Sequence, residues 1–346
     1  MSSIFRRYAK GLVHRLGRSF GLPAPAAPPF RFARLALPCG REYELSVEGE
    51  NADTYHTAVG AGDLTDATWR FLHNWIRSGD VLFDLGANIG VFAVPAGIKG
   101  AQVHAFELLH GNATHLARAA ERNALQNFHI VVGPVSDRPA FLSTFGASAW
   151  AEAKTDGAMM FPSVVIDDYV RAKSIGRIDV MKIDIEGSEK AALVGARGTI
   201  ERDHPDIVIE CNALTCGNHD HSYRELLGTL AGHGYRIYRI VGAQLAPWRP
   251  QAVQETIVAD YLATTKQPEE IEARGGLPIR DLSDEQVLES LTAQDAGSAF
   301  HKQYSFMIVD RLPQRLREDK TVHRLTDQWK LLSDDYVLSV LRRGSA

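Results

Sequence analysis

Asp84, Glu107, Asp184 and Glu210 each close a short apolar run, and the first opens onto a glycine turn, Asp84-Leu85-Gly86-Ala87-Asn88-Ile89-Gly90. An apolar run, a tight turn and further apolar residues read as a strand leading into a helix. Glycine at such a turn lets a ligand approach the backbone, most often a nucleotide-like cofactor. Two cofactor classes compete for it. A dinucleotide fingerprint is G-x-G-x-x-G, whose middle glycine admits a pyrophosphate. Here the glycines are Gly86 and Gly90, and Asn88 stands where the middle glycine would be. Asp84, immediately before the loop, would also repel a diphosphate. A cationic cofactor without phosphate fits better, and S-adenosylmethionine is such a molecule. Gly86, Asn88 and Gly90 would then wrap its methionine part while Asp84 offsets positive charge.

Glu107 follows Gly90 by 17 positions and ends the second apolar run, where an acid can accept hydrogen bonds from ribose hydroxyls. Nicotinamide enzymes use the same device, so the loop discriminates and the acid does not. Past the third run, Ser136 and Asp137 are placed to reach an adenine amino group. The fourth run ends in Asp184-Ile185-Glu186, two acids whose side chains point to the same side. Stability explains such a pair poorly, because desolvated like charges repel; alternatively Lys182 or Lys190 neutralises one, or Glu186 caps the next helix. A hydroxyl acceptor would need a general base. Asp184 and Glu186 are the first candidates, with His219 and His221 in "CNALTCGNHDHSY" ranked below them. The spacing C-x4-C-x2-H-x-H over Cys211, Cys216, His219 and His221 matches no common structural zinc pattern, so no metal ligands are assigned. Asp184, Glu186 and Glu210 could instead hold Mg²⁺.

The elements that must position these residues are legible as a series of short apolar runs separated by helical patterns: Val81–Asp84, Val103–Phe106, His129–Val132, Ile178–Ile183, Ile207–Glu210 and Tyr235–Ile240. The series predicts an α/β, Rossmann-like fold, a mostly parallel central sheet with helices on both faces. Ligands then sit outside the carboxyl ends of the strands, where the acids are. Upstream, "FRFARLAL" and "EYELSV" alternate around Pro38-Cys39-Gly40 and read as a β-hairpin. "DATWRFLHNWIRSG" puts Trp69, Leu72, Trp75 and Ile76 on one helical face. The expected organisation is a basic amphipathic helix (1–22), a proline-rich linker (23–29), a hairpin extension (30–60), a catalytic domain (61–265) and a C-terminal helical appendage (266–346).

At 346 residues, 45% hydrophobic and 23% charged, the chain can bury a large core. A net charge of -4 gives no reason to expect nucleic acid as a partner. Three cysteines are too few for a disulfide framework, which points to a reducing, cytoplasmic setting. The N-terminal pattern, with Phe5, Tyr8, Leu12, Leu16 and Phe20 among arginines, fits either a helix packed on the protein's own body or a peripheral contact with an anionic inner membrane face. Oligomeric state is not legible.

Taken in order, "VLFDLGANIGVFAV", "VHAFELLHGNATHLARAAERNAL", "GPVSD", "VVIDDYV" and "IDVMKIDIEGSEKAALVGA" followed by "PDIVIEC" resemble the FkbM-type methyltransferases over about residues 60 to 262. The resemblance implies a class I methyltransferase fold that uses S-adenosylmethionine to methylate hydroxyls of sugars, glycans or secondary metabolites. It implies cofactor binding at Asp84, Gly86, Asn88, Gly90, Glu107 and Asp137, and a K-I-D-x-E-G element at Lys182 to Gly187. The family usually has proline after the ribose acid, where this chain has Leu108. Two other readings compete with it: a nicotinamide-dependent oxidoreductase, and a non-catalytic interaction or membrane-surface module on the same fold.

Overall fold

The computed structural model describes residues 30–47, 59, 67–145, 152–154, 160–212, 215–216, 219, 221–249, 258–283 and 286. The expected N-terminal helix, its linker and most of the C-terminal segment lie outside them. A hairpin comes first, β1 (Arg31–Ala36) and β2 (Glu42–Val47), paired antiparallel across a turn at Pro38-Cys39-Gly40. Gly40 takes φ +82°, a conformation that favours glycine. After it come α1 (Ala67–Trp75), β3 (Val81–Leu85), α2 (Ala93–Ile98), β4 (Gln102–Glu107), α3 (His110–Arg122) and β5 (Phe128–Val132).

The chain next forms a small antiparallel sheet of β6 (Phe141–Phe145), β7 (Glu152–Lys154) and β8 (Met160–Pro162). It returns through α4 (Ile166–Ala172) to β9 (Val180–Ile183), α5 (Glu189–Gly195), α6 (Arg197–Asp203) and β10 (Asp206–Asn212). Finally come α7 (Tyr223–Gly232), β11 (Arg236–Val241), β12 (Gln244–Pro247), β13 (Val258–Thr264) and α8 (Pro268–Gly275).

Eight strands form the central sheet in the order β12-β11-β13-β10-β9-β3-β4-β5. Strands β5, β4, β3, β9 and β10 are mutually parallel; β13 runs antiparallel to β10 and to β11. This is the Rossmann-like α/β sheet expected from the alternation of runs. Its central strands are apolar on both faces, as a sheet covered on both sides requires. On one face Phe83, Leu85, Met181, Ile183, Ile207 and Ile209 pack against α4 to α7. On the other, Leu82, Val103, Ala105, Val180 and Val208 meet α1, α2, α3, α8 and the hairpin. Helix α3 shows how the sequence places a helix: Asn112, Ala113, His115, Leu116, Ala119 and Ala120 form one buried stripe.

The order of strands reverses between β3 and β9, so the two strand exits that carry Asp84 and Asp184 lie side by side. The hairpin is fastened to α3 by Ser46 Oγ and His115 Nδ1 at 2.9 Å and by Asn123 Nδ2, which donates to the Glu44 carbonyl at 2.6 Å. The expected boundary at residue 265 falls between β13 and a helix packed on α1, for a side chain on Gly275 would come within 3.0 Å of the Trp75 ring. Arg274 also pairs with Asp80 at 2.6 Å.

Candidate active site

Asp84 and Lys182 are register partners on neighbouring parallel strands, so their side chains stand on one face of the sheet. Asp84 is fully buried, and neither carboxylate oxygen has a hydrogen-bond partner. Burial pushes its carboxyl up to about 6, with Lys182 opposing and Asp184 adding to the rise. Lys182 Nζ lies 2.9 Å from Asp184 Oδ2, 4.0 Å from Asp84 Oδ1 and 4.6 Å from the centre of the Phe92 ring. Burial works against the lysine's charge, but Asp184 and Asp84 outweigh it and hold its pKa above the ordinary value. One of the acids at this exit is therefore neutralised by Lys182, as the sequence allowed; Lys190 instead faces Glu225.

The glycine loop is packed tightly against its own chain. Gly86, at φ +87°, is filled from within: a Cβ there would lie 1.8 Å from the carbonyl oxygen of Asp184. Gly90, at φ +94°, is closed by Leu116 and Val94 at 2.5 and 2.8 Å. These close approaches are made by the chain itself. Asn88 holds a left-handed φ of 50° and donates its backbone N–H to Glu107 Oε2 at 2.7 Å. Its own Oδ1 is buried without a partner. Glu107 Oε1 accepts the Leu109 N–H at 2.7 Å. Glu107 thus sets the shape of both the glycine loop and the entry to α3. Trp69 Nε1 donates to the Val91 carbonyl at 3.1 Å and pins the loop to α1.

Ser136 and Asp137 follow β5. Ser136 Oγ donates to Asp137 Oδ1 at 3.1 Å, and the exposed Arg138 donates to Asp137 Oδ2 at 3.1 Å. The backbone of Ser136 lies close under Gly195, since a Cβ there would be 2.3 Å from the Ser136 carbonyl oxygen.

At the β9 and β10 exits, carboxylate oxygens of Asp184, Glu186 and Glu210 lie within 4.8 Å of one another. The sequence placed Asp184 and Glu186 on one side, and the structure brings them together with Glu210. Burial, followed by Asp184 and Glu186, raises the Glu210 carboxyl well above the usual range. Glu186 sits at φ +53°, an uncommon conformation for a residue with a side chain.

The carboxylate that organises this turn is Glu189, which was no candidate in the sequence. Its Oε1 accepts the backbone N–H groups of Ile185 and Gly187 at 3.0 and 3.1 Å. Its position, the second residue after Gly187 and the first of α5, was the only signal available. His219 lies against the same turn, because a Cβ on Gly187 would be 2.4 Å from His219 Cδ2. Of the four residues weighed as zinc ligands, Cys216 and His221 come together, with Glu189 beside them. Cys211 is a buried residue of β10.

Comparison with known proteins agrees with this geometry. Residues 84–237 match the Methyltransferase FkbM domain. The 31-O-demethyl-FK506 methyltransferase FkbM of Streptomyces tacrolimicus is 27% identical over 205 residues, spanning 47% of this chain and 75% of the relative. The hexuronic acid methyltransferase AglP of Haloferax volcanii is 27% identical over 138 residues, 38% of this chain and 56% of the relative. Among solved structures, the methyltransferase FkbM of Methylobacillus flagellatus KT is similar at 18% identity and a TM-score of 0.37, over 61% of this chain and 55% of that one. The protein is a methyltransferase on a Rossmann-like sheet. Its residues 84–237 are similar to the FkbM methyltransferases.

Proposed function

We propose that this chain transfers a methyl group from S-adenosylmethionine to a hydroxyl oxygen of a sugar, glycan or secondary metabolite. The observation that carries the reading is Asp84: a fully buried carboxylate at the switch point of the sheet, whose neighbouring cation Lys182 stands 4.0 Å away and is engaged by Asp184 at 2.9 Å. A buried anion so placed is costly unless positive charge or donors meet it. A cationic ligand fits that deficit, and a pyrophosphate does not.

Asp84 and Asn88 would hold the charged amino-acid end of the cofactor, Glu107 its ribose hydroxyls, and Ser136 with Asp137 its adenine side. When bound, S-adenosylmethionine supplies a methyl carbon made electrophilic by the sulfonium. The chain's own work is to orient the acceptor hydroxyl and to take its proton. Asp184, Glu186 and Glu210 bring carboxylate oxygens within 4.8 Å of one another, and this cluster receives that proton. His219, against the Gly187 turn, is a second acceptor-side residue. The substrates named for two relatives, 31-O-demethyl-FK506 and hexuronic acid, support a hydroxyl-bearing small molecule or glycan as acceptor.

The test is thermal unfolding with S-adenosylhomocysteine, followed by transfer of labelled methyl to uronic-acid glycans and polyols. At 100-fold excess over Kd, ligand binding to the native state adds about 2.7 kcal/mol. The melting temperature of the native chain should rise, and Asp84→Ala should abolish the rise. A chain that ignores S-adenosylhomocysteine but binds reduced nicotinamide dinucleotide would overturn the reading in favour of an oxidoreductase.

A further inference from the structure

A second group of ligating side chains lies behind the acidic turn. One carboxylate oxygen of Glu189, the sulfur of Cys216 and a ring nitrogen of His221 all lie within 4.8 Å of one another, and all three residues are buried. Glu189 opens α5, while Cys216 and His221 follow β10.

Three features point to a ligand there. Glu189 is 3% exposed, and while Oε1 holds two backbone amides, Oε2 has no hydrogen-bond partner. A carboxylate oxygen in that position calls for a proton or a cation. The His221 ring is oriented by its other nitrogen. Nδ1 lies 3.1 Å from the carbonyl oxygen of His219, which can only accept, so Nδ1 carries the proton and Nε2 offers its lone pair. Fixing a histidine through a backbone carbonyl is how metal-bound imidazoles are commonly held. The donor set itself, sulfur, imidazole nitrogen and carboxylate oxygen, is that of zinc rather than of magnesium.

We propose that Glu189, Cys216 and His221 bind one divalent ion of the zinc type, tying the first turn of α5 to the segment after β10. A tetrahedral ion with bonds of roughly 2.0–2.3 Å needs donors roughly 3.3–3.8 Å apart, so shifts of about an ångström complete the site. Three protein donors leave one position for a water or a further group. Because Glu189 also holds the amides of Ile185 and Gly187, the ion would fix the turn that carries Asp184 and Glu186 from behind. A thiol ligates as its thiolate, so binding at Cys216 releases a proton. The inference stands independently of the methyl donor.

The test uses the full chain, stripped with a chelator and dialysed. It is titrated with Zn²⁺ by calorimetry in two buffers of different ionisation heat, and separately with Co²⁺ under absorption spectroscopy. The expected result is one ion per chain, proton release, a higher melting temperature with Zn²⁺, and a thiolate-to-cobalt charge-transfer band. Cys216→Ser should lose the band, whereas Cys39→Ser, at an exposed thiol, should keep it. Absence of one-to-one binding to the native chain would overturn the proposal, and so would a band that survives Cys216→Ser. Neither titration contains S-adenosylmethionine, so failure here is distinguishable from failure of the methyltransferase reading.

Discussion

Burial lifts the Asp84 carboxyl to about 6 from an ordinary 3.8, and Lys182, 4.0 Å away, only partly opposes it. A folded-state value above the unfolded one means that the native state binds the extra proton between pH 4 and 6. Stability from this group is present below pH 4 and lost as pH rises through 6. Asp84→Asn should therefore stabilise the ligand-free protein at pH 7.5 by roughly 2–3 kcal/mol, from about two pK differences at 1.36 kcal/mol each. The gain should shrink as pH falls below 6, with Lys182 still paired to Asp184. Urea unfolding at pH 4.5 and 7.5 checks both sign and window. Gly86 behaves differently, since its role is in its own chain. Gly86→Ala would drive a methyl to 1.8 Å from the Asp184 carbonyl at a φ of +87°. It should cost more than about 3 kcal/mol and register as a collapse of the melting temperature.

Between elements, the opposite end of the sheet shows a carboxylate placed for stability. Asp206, at the start of β10, accepts from Trp75 Nε1 at 3.0 Å, from Thr264 Oγ1 at 2.6 Å and from Lys266 Nζ at 2.8 and 2.9 Å. It joins α1, β10 and the end of β13. Asp206→Ala strands an indole N–H and an ammonium and should cost about 3 kcal/mol in denaturant unfolding, with S-adenosylhomocysteine affinity unchanged. The strands that carry the acids were legible, because continuous apolar runs such as Val81 to Phe83 can be buried on both faces. Their lateral order was not: β13 inserts between β10 and β11, and no local pattern states which strand a run will pair with. The small sheet β6 to β8 was missed because two of its strands, at three residues each, carry no periodicity. Glu189 was missed because a first-turn acid on a helix ordinarily looks like a solvated one.

For the whole molecule, Asp84, Asp184, Glu186 and Glu210 gather at the carboxyl ends of β3, β9 and β10, with Lys182 among them. The sequence named every one of these acids from its place at or just past a strand end. No helix among the described residues is long and apolar enough to cross a membrane. The central claim is that this crevice takes a cationic nucleoside. Calorimetric titration with S-adenosylmethionine tests it most directly, on the native chain and on Asp84→Asn. The prediction is a single site in the native chain, weakened at least about tenfold, or about 1.4 kcal/mol, in Asp84→Asn, with no heat from reduced nicotinamide dinucleotide. Equal affinity in the two chains, or no binding to the native one, would contradict the account.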